Sequence, residues 1–233
     1  TLNIEQAITT TKFESDGVNY TREFFTAAPD NVLVMKLTAD AAQALNLNLS
    51  AESQLRAEVS VTENQELVVS GKAPANVNPN YYNPEGVKPI TYEDPEECDG
   101  MRFQYRIKVL KTDGNLTTQD NSLAIADASE VVILLTAATS FNGFDKCPDK
   151  DGLDEAKLAS ESMQAASAKS YAQLKSDHIA DFSTYMQRVA LDLGKTSDDQ
   201  LNQPTDSRLK AYSESANDPQ LEALYFQYGR YLL

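Results

Sequence analysis

With 233 residues, the chain is long enough for one large domain or two small ones. Its 20 basic residues stand against 35 acidic ones, which gives a formal net charge of −15 without any basic cluster. Nucleic acid and anionic membrane surfaces are therefore disfavoured as partners, because phosphate binding needs a basic face. No apolar run approaches the roughly 20 residues that cross a bilayer, so no membrane span is expected.

The first part of the chain predicts β-strands, because its hydrophobic residues recur with a period of two up to about residue 138. Segments 31–37 and 44–50 are predicted strands, and segment 101–111 is the clearest one. In this last strand the apolar residues are predicted to face inward and the polar ones outward. The inward set is Met101, Phe103, Tyr105, Ile107 and Val109, and the outward set is Arg102, Gln104, Arg106 and Lys108.

The dipeptide Asp113-Gly114 is predicted to form a hairpin turn after this strand, because glycine tolerates a positive φ. Strands at 121–126 and 130–137 are predicted to follow. Stretch 72–99, rich in proline and tyrosine, is expected to be a long excursion between strands. Alternation with one polar face is typical of an antiparallel sheet in a sandwich.

After about residue 153 the hydrophobic period becomes three to four, which predicts helices at 154–168 and 170–189. Pro204-Thr205-Asp206 is predicted to start another short helix. The last helix has Asp218 as its N-cap and Pro219 at its first position. It is apolar around most of its circumference, so we expect it to be buried in a packed helical region of a longer protein, and the isolated chain to self-associate. Strands followed by helices indicate separate layers or domains: an antiparallel β-sandwich, then helices.

His178, the single histidine, lies in the apolar stripe of the predicted helix 170–189. It is a candidate general base or ligand, with Asp177 and Asp181 close in sequence. The alternative is a packed histidine that is hydrogen-bonded to a neighbour. One histidine does not make a zinc site of the usual kind.

The loop 142–155 is rich in carboxylates, and Asp145, Asp149 and Asp151 are candidate ligands for calcium. The spacing does not match an EF-hand loop, and acidic turns are common in so acidic a chain. No other cofactor is predicted. Cys98 and Cys147 lie in separate acidic, loop-like stretches, where they either pair in an oxidising compartment or remain free.

No motif identifies a catalytic residue: there is no nucleophile signature and no glycine-rich phosphate loop. A glycosidase needs two carboxylates across the sugar bond, and 35 acidic residues single out none. The absence of tryptophan counts modestly against a self-sufficient carbohydrate-binding module.

Six separated blocks resemble, in order and spacing, the N-terminal part of glycoside hydrolase family 95, the inverting α-L-fucosidases. These blocks are 17–40, 99–109, 126–141, 170–194, 204–212 and 218–233. The resemblance implies residues 1–150 in an N-terminal β-sandwich, 151–204 in a helical linker, and 205–233 in the first helices of an (α/α)6 catalytic barrel. It places the family's catalytic residues beyond Leu233, so none is assigned here. Ser140 and Asn142, at the end of a predicted strand, are candidates for one rim of the substrate cleft; the alternative is a purely structural role for this segment.

By this resemblance the chain is expected to be a scaffold part of an exo-acting enzyme that removes terminal α-L-fucose from glycans with inversion. Its expected partners are a fucosylated glycan and the C-terminal barrel, and its expected location is periplasmic or extracellular. Two alternatives remain open. One is a non-catalytic carbohydrate-binding or interaction module; the other is a related α-L-galactosidase or barrel phosphorylase.

Overall fold

A computed structural model describes residues 1–82, 84–94 and 98–233 of the chain. The strands are β1 (Leu2–Asn3), β2 (Ile8–Ser15), β3 (Val18–Ala27), β4 (Val32–Ala39), β5 (Leu45–Leu49), β6 (Arg56–Val61), β7 (Glu66–Lys72), β8 (Asn76–Val77), β9 (Ile90–Thr91), β10 (Arg102–Thr112), β11 (Asn115–Gln119), β12 (Ser122–Ala128) and β13 (Glu130–Thr139). The helices are α1 (Glu155–Ser167), α2 (Tyr171–Met186), α3 (Asp198–Leu201), α4 (Thr205–Ser215) and α5 (Pro219–Tyr231). Residues 83 and 95–97 of the predicted excursion lie outside the described residues.

An antiparallel sheet of eight strands forms the centre of the fold, in the order β1-β2-β3-β4-β13-β10-β7-β6. A second sheet has the order β11-β12-β5, and β8 pairs with β9. All strand pairs in these sheets are antiparallel. The helices follow the strands along the chain. The predicted fold class, an antiparallel β-structure followed by helices, is confirmed.

The large sheet is covered on both faces, and strand β13 shows how. Val131 and Ile133 point to the small sheet, whereas Val132 and Leu134 point to α1 and α2. Because side chains alternate between the two faces of a strand, a strand buried on both sides reads as a continuous apolar run. The core on the side of the small sheet consists of Leu37, Leu45, Ile125, Ala128, Val131 and Ile133. The core on the side of the helices includes Ile8, Phe25, Val32, Val34, Val132, Leu134, Met163 and Leu174.

The polar face of β10 was predicted to be exposed to solvent, but in the structure it is covered. Helix α1 lies across it, and Gln104 is only 7% exposed. Arg102 and Arg106 form ion pairs with Glu155 and Glu66, at N–O distances of 3.1 and 2.9 Å. The alternating pattern predicted correctly which residues of β10 lie on the polar face. It cannot predict whether that face contacts solvent or a helix that supplies polar partners.

Asp113-Gly114 forms a corner between the two sheets instead of a hairpin turn. Strand β10 pairs with β7 and β13, whereas β11 pairs with β12. Gly114 has no positive φ; a Cβ atom there would lie 2.3 Å from the carbonyl oxygen of Ala126. The glycine is therefore required by close backbone approach.

Helix starts follow the sequence closely. The Asp218 side chain accepts a hydrogen bond from the Leu221 N–H, with Pro219 in the first turn, as predicted. Ser170 and Gln173 form a capping box at the start of α2. In the part of the chain that the structure describes, none of the helices has the length and apolar character to cross a membrane.

Candidate functional site

The segment 140–154, which we call the rim loop, contains both predicted rim residues. Ser140 is fully buried: its hydroxyl accepts a hydrogen bond from the Arg102 N–H at 2.9 Å. Asn142 is exposed, and its Nδ2 donates to the carbonyl oxygen of Asp151 at 2.8 Å. Ser140 can therefore support a rim from below but cannot face a ligand, whereas Asn142 can.

Arg102 holds the rim loop against the sheet. Its Nε donates to both carboxylate oxygens of Glu155, at 3.1 and 3.2 Å. Its Nη1 and Nη2 donate to the carbonyl oxygens of Asp149 and Leu153, at 2.7 and 3.3 Å. A planar guanidinium suits such a set of acceptors, because its five N–H groups point in fixed directions. Arg102 was predicted to face solvent, so its contacts with the rim loop were not predicted. Glu155, the acidic residue at the start of α1, was the available sequence signal for its partner.

Cys98 and Cys147 are joined by a disulfide, which ties the predicted excursion 72–99 to the rim loop. Asp99, the residue after Cys98, is paired with Lys72. The Lys72 ammonium lies 2.7 Å from one oxygen of Asp99 and lowers the pKa of that carboxyl. The second oxygen of Asp99 accepts a hydrogen bond from the Asp94 N–H at 2.8 Å. The rim loop is thus fixed covalently near its middle, at Cys147, and by Arg102 at its beginning and end.

The predicted calcium ligands do not form a compact set. Among the described residues, the group of metal-ligand types lying within 4.8 Å of one another is Cys98, Cys147 and Asp149. Its two sulfur atoms belong to the disulfide, and neither Asp145 nor Asp151 joins it. The carboxylates are not arranged to surround a cation, and the calcium site remains a prediction without structural support.

Two aromatic side chains project from the rim loop. Phe144 is 99% exposed and Phe141 is 56% exposed. Burying such rings normally stabilises a protein, so two exposed phenylalanines on a cross-linked loop indicate a contact surface. The loop therefore presents two apolar rings beside the amide of Asn142.

His178 is a packed histidine. Its Nε2 lies 2.8 Å from the carbonyl oxygen of Gln6, and its ring stacks on Phe25 with ring centroids 5.0 Å apart. The ring is 4% exposed. This arrangement fits the alternative of a core histidine that joins α2 to the first strands, and it gives no support to a catalytic role.

A buried ion pair holds the start of α5. Asp218 is 1% exposed and accepts hydrogen bonds from Arg208 Nε and Nη2, at 2.9 and 2.8 Å. It also accepts from Thr196 Oγ1 at 2.6 Å and from the Leu221 N–H at 3.0 Å. The Arg208 guanidinium, which outweighs the opposing effect of burial, holds the pKa of Asp218 far below its ordinary value. Sequence reasoning identified the N-cap but missed Arg208, because ten residues separate the partners.

The rest of α5 is largely uncovered in this chain, and its burial in a longer protein stays a prediction. Leu221 is its buried residue, while Tyr225 is 77% and Leu232 64% exposed. Arg230 attaches the helix to the end of α2, since it donates to the carbonyl oxygens of Met186 and Tyr185 at 3.0 and 2.9 Å. The apolar character of the helix was recognised correctly, but no described element packs over most of the stripe formed by Leu221, Leu224, Tyr225, Tyr228 and Leu232.

The family model described as "Glycosyl hydrolase family 65, N-terminal domain" matches residues 1–143, more than half of the chain. The chain belongs to this family. Residues 170–233 match a second model, "Glycosyl hydrolase family 95 catalytic domain". The predicted resemblance to glycoside hydrolase family 95 is thereby confirmed.

Similar curated proteins support the resemblance to family 95. The chain is 28% identical to Alpha-L-fucosidase 2 of Arabidopsis thaliana, in an alignment that covers all of this chain and 28% of the relative. It is 26% identical to "Probable alpha-fucosidase A" of Aspergillus niger, over 99% of this chain and 27% of the relative. The chain thus spans less than a third of the length of these proteins.

Among solved structures, a candidate kojibiose phosphorylase from the human microbiome has a TM-score of 0.50 at 11% identity. The superposition covers 80% of this chain and 24% of that one. At this identity the likeness concerns the fold alone. A bacterial glucoamylase complexed with acarbose gives a TM-score of 0.45 at 12% identity, over 79% of this chain and 27% of that one.

Proposed function

We propose that the chain is the N-terminal scaffold of an exo-acting glycoside hydrolase that releases terminal α-L-fucose with inversion of configuration. The observation that carries this proposal is the similarity to Alpha-L-fucosidase 2 along the whole chain, together with the family 95 catalytic match at residues 170–233. The catalytic residues are expected outside these 233 residues, so the chain itself is expected to be inactive.

In this proposal residues 1–150 form the β-domain, 151–204 the linker and 205–233 the first helices of the barrel. The uncovered stripe of α5 supports the last assignment, because exposed Tyr225 and Leu232 need a partner surface. The family 95 match begins earlier, at residue 170. However, α2 packs on the β3 strand of the large sheet through Leu174 and Phe25. We therefore keep α2 with the linker.

The rim loop is proposed to border the cleft at the junction with the barrel. Asn142 and the exposed rings of Phe141 and Phe144 would face a bound glycan, and Ser140 and Arg102 would hold the loop in place. If so, Phe144→Ala in the full-length enzyme should raise KM and leave kcat nearly unchanged, because a platform that binds ground state and transition state equally affects binding only.

A periplasmic or extracellular location is also proposed. The Cys98–Cys147 disulfide supports it, because such bonds persist in oxidising compartments and are rare in reducing ones. The partners proposed with it are a fucosylated glycan and the C-terminal barrel.

The test is to incubate the full-length protein with 2'-fucosyllactose and to follow the released sugar by NMR. Early appearance of β-L-fucose is expected. Early α-L-fucose would contradict inversion. A sugar phosphate formed only when inorganic phosphate is added would favour the phosphorylase alternative. Absence of any product would contradict the enzyme assignment for this substrate and favour a non-catalytic module.

A further inference from the structure

A polar pocket of about 580 Å³ lies on the face of the large sheet that carries the helices. It is formed by β10, the turn between β6 and β7, and the C-terminal half of α1. Its polar lining includes Asn64, Glu66, Arg106, Lys108, Gln164 and Ser167. The pocket is separate from the rim loop: Arg106 is four residues from Arg102 along β10, which at 3.3 Å per residue is about 13 Å.

Three charged groups line one side of this polar pocket. Glu66 binds Arg106 Nη1 at 2.9 Å through one oxygen and Lys108 Nζ at 3.0 Å through the other. Arg106 Nε also donates to Gln104 Oε1 at 2.8 Å. These bonds use two of the five guanidinium donors and one of the three ammonium donors, which leaves further donors for a ligand. With the cations held by Glu66, the cluster carries a small residual charge.

One buried polar atom at the polar pocket lacks a partner. The hydroxyl of Ser167, in the last turn of α1, makes no hydrogen bond within the described part of the chain. Leaving a buried hydroxyl unpaired is unfavourable, because the group has lost its hydrogen bonds to water without gaining others. Because Ser167 lines the pocket, its unpaired hydroxyl is a candidate partner for a group that binds there.

The lining offers donors and acceptors of both kinds around a concave space. Guanidinium, ammonium and amide N–H groups can donate, and the Glu66 carboxylate and the amide oxygens of Asn64 and Gln164 can accept. A sugar hydroxyl donates and accepts at once, so a ring bearing several hydroxyls matches this mixture. A strongly charged anion matches it less well, because Glu66 already neutralises one cation and would repel the anion. We propose that the polar pocket binds one neutral sugar residue of a glycan, at a site that takes no part in hydrolysis.

The test uses saturation-transfer NMR on the 233-residue chain with L-fucose, D-galactose and 2'-fucosyllactose as probes. Only the choice of fucosylated probes rests on the proposed function. Gln164→Trp fills the pocket from an exposed position of α1, and Ala165→Trp, next to it but outside the lining, is the matched control. Gln164→Trp should weaken binding about tenfold or more, because it removes one polar contact and fills space in the pocket. Ala165→Trp should leave binding unchanged.

Equal sugar binding by the two tryptophan variants would overturn the proposal, as would the lack of a signal from all three sugars with the unmodified chain. Displacement of the sugar by low concentrations of inorganic phosphate would show an anion site and overturn it as well. If Gln164→Trp does not fold by circular dichroism, Asn64→Ala on the exposed turn takes its place and should weaken binding about threefold. Failure of the full-length protein to hydrolyse 2'-fucosyllactose leaves this test unaffected, because binding is read on its own.

Discussion

The central sheet and the C-terminal helices are stabilised in different ways. Leu134 in β13 is fully buried between the sheet and the helices α1 and α2. In α5, by contrast, Leu221 is buried while Tyr225 and Leu232 are mostly exposed. The start of α5 is held by the ion pair between Arg208 and Asp218. The sheet therefore depends on apolar packing from both sides, and the last two helices depend on a few polar contacts.

Truncation of one buried leucine in each region is the strongest test of this comparison. Leu134→Ala should lower the free energy of unfolding of the whole sheet by about 3 kcal/mol, through lost burial and the cavity left behind. Leu221→Ala should instead increase hydrogen exchange in α4 and α5 only. Denaturant unfolding together with amide exchange would measure both. A global loss of equal size for Leu221→Ala would contradict the comparison.

The Arg208–Asp218 pair provides the second test. Asp218→Ala leaves a buried guanidinium without its partner and removes the N-cap, which should reduce the local stability of α4 and α5 by about 3 kcal/mol. Tyr212→Phe is the control, since it removes an exposed hydrogen bond to Glu222 between the same two helices and should have little effect. Similar exchange rates in the two variants would show that the ion pair is not what holds these helices.

Arg102→Lys should loosen the rim loop, because an ammonium cannot replace the fork that reaches Glu155 and the carbonyl groups of the loop. The expected loss of stability is about 1–2 kcal/mol. Limited digestion with chymotrypsin, which cleaves after aromatic residues, would detect it as faster cutting at Phe141 and Phe144. Arg56→Lys, in an exposed ion pair with Glu93, is the control and should leave digestion unchanged. Unaltered cutting with Arg102→Lys would mean that the disulfide alone fixes the loop.

Acid should weaken the last two helices through Asp218. Its pKa is lowered by Arg208 in the folded chain, whereas the unfolded value is about 3.8. A carboxyl with a lowered folded pKa stabilises the fold above the unfolded pKa, and this contribution is lost as the pH falls below it. Amide exchange in α5 should therefore change little from pH 7 to 5, after correction for the intrinsic rate, and should increase below about pH 4. Asp218→Asn should remove this acid dependence; if it persists, another carboxyl is responsible.

The sequence predicted elements whose cause is local. The alternation of Leu45, Leu47 and Leu49 in β5 and the Asp218-Pro219 helix start both appear in the structure. Prediction failed where the cause lies in residues that are distant along the chain. Nothing near Arg102 shows that α1 will cover it, and Gly114 is needed because of the distant carbonyl of Ala126. Ser140 and Asn142 do follow the end of β13, as predicted, but which of the two faces outward depends on the loop that folds back over Ser140.

The last test concerns self-association. Of the changes proposed, the variants used for it are expected to alter the stability of the monomer least. The 233-residue chain exposes the apolar stripe of α5, so it should associate at high concentration. The double variant Tyr225→Glu/Phe226→Glu places charges on that surface and should reduce association, as measured by sedimentation velocity, without changing the melting temperature. Phe144→Glu on the rim loop is the matched control for an exposed aromatic residue. If the control reduces association and the α5 variant does not, the contact surface lies on the β-domain, and the helices are not the part of the chain that requires a partner.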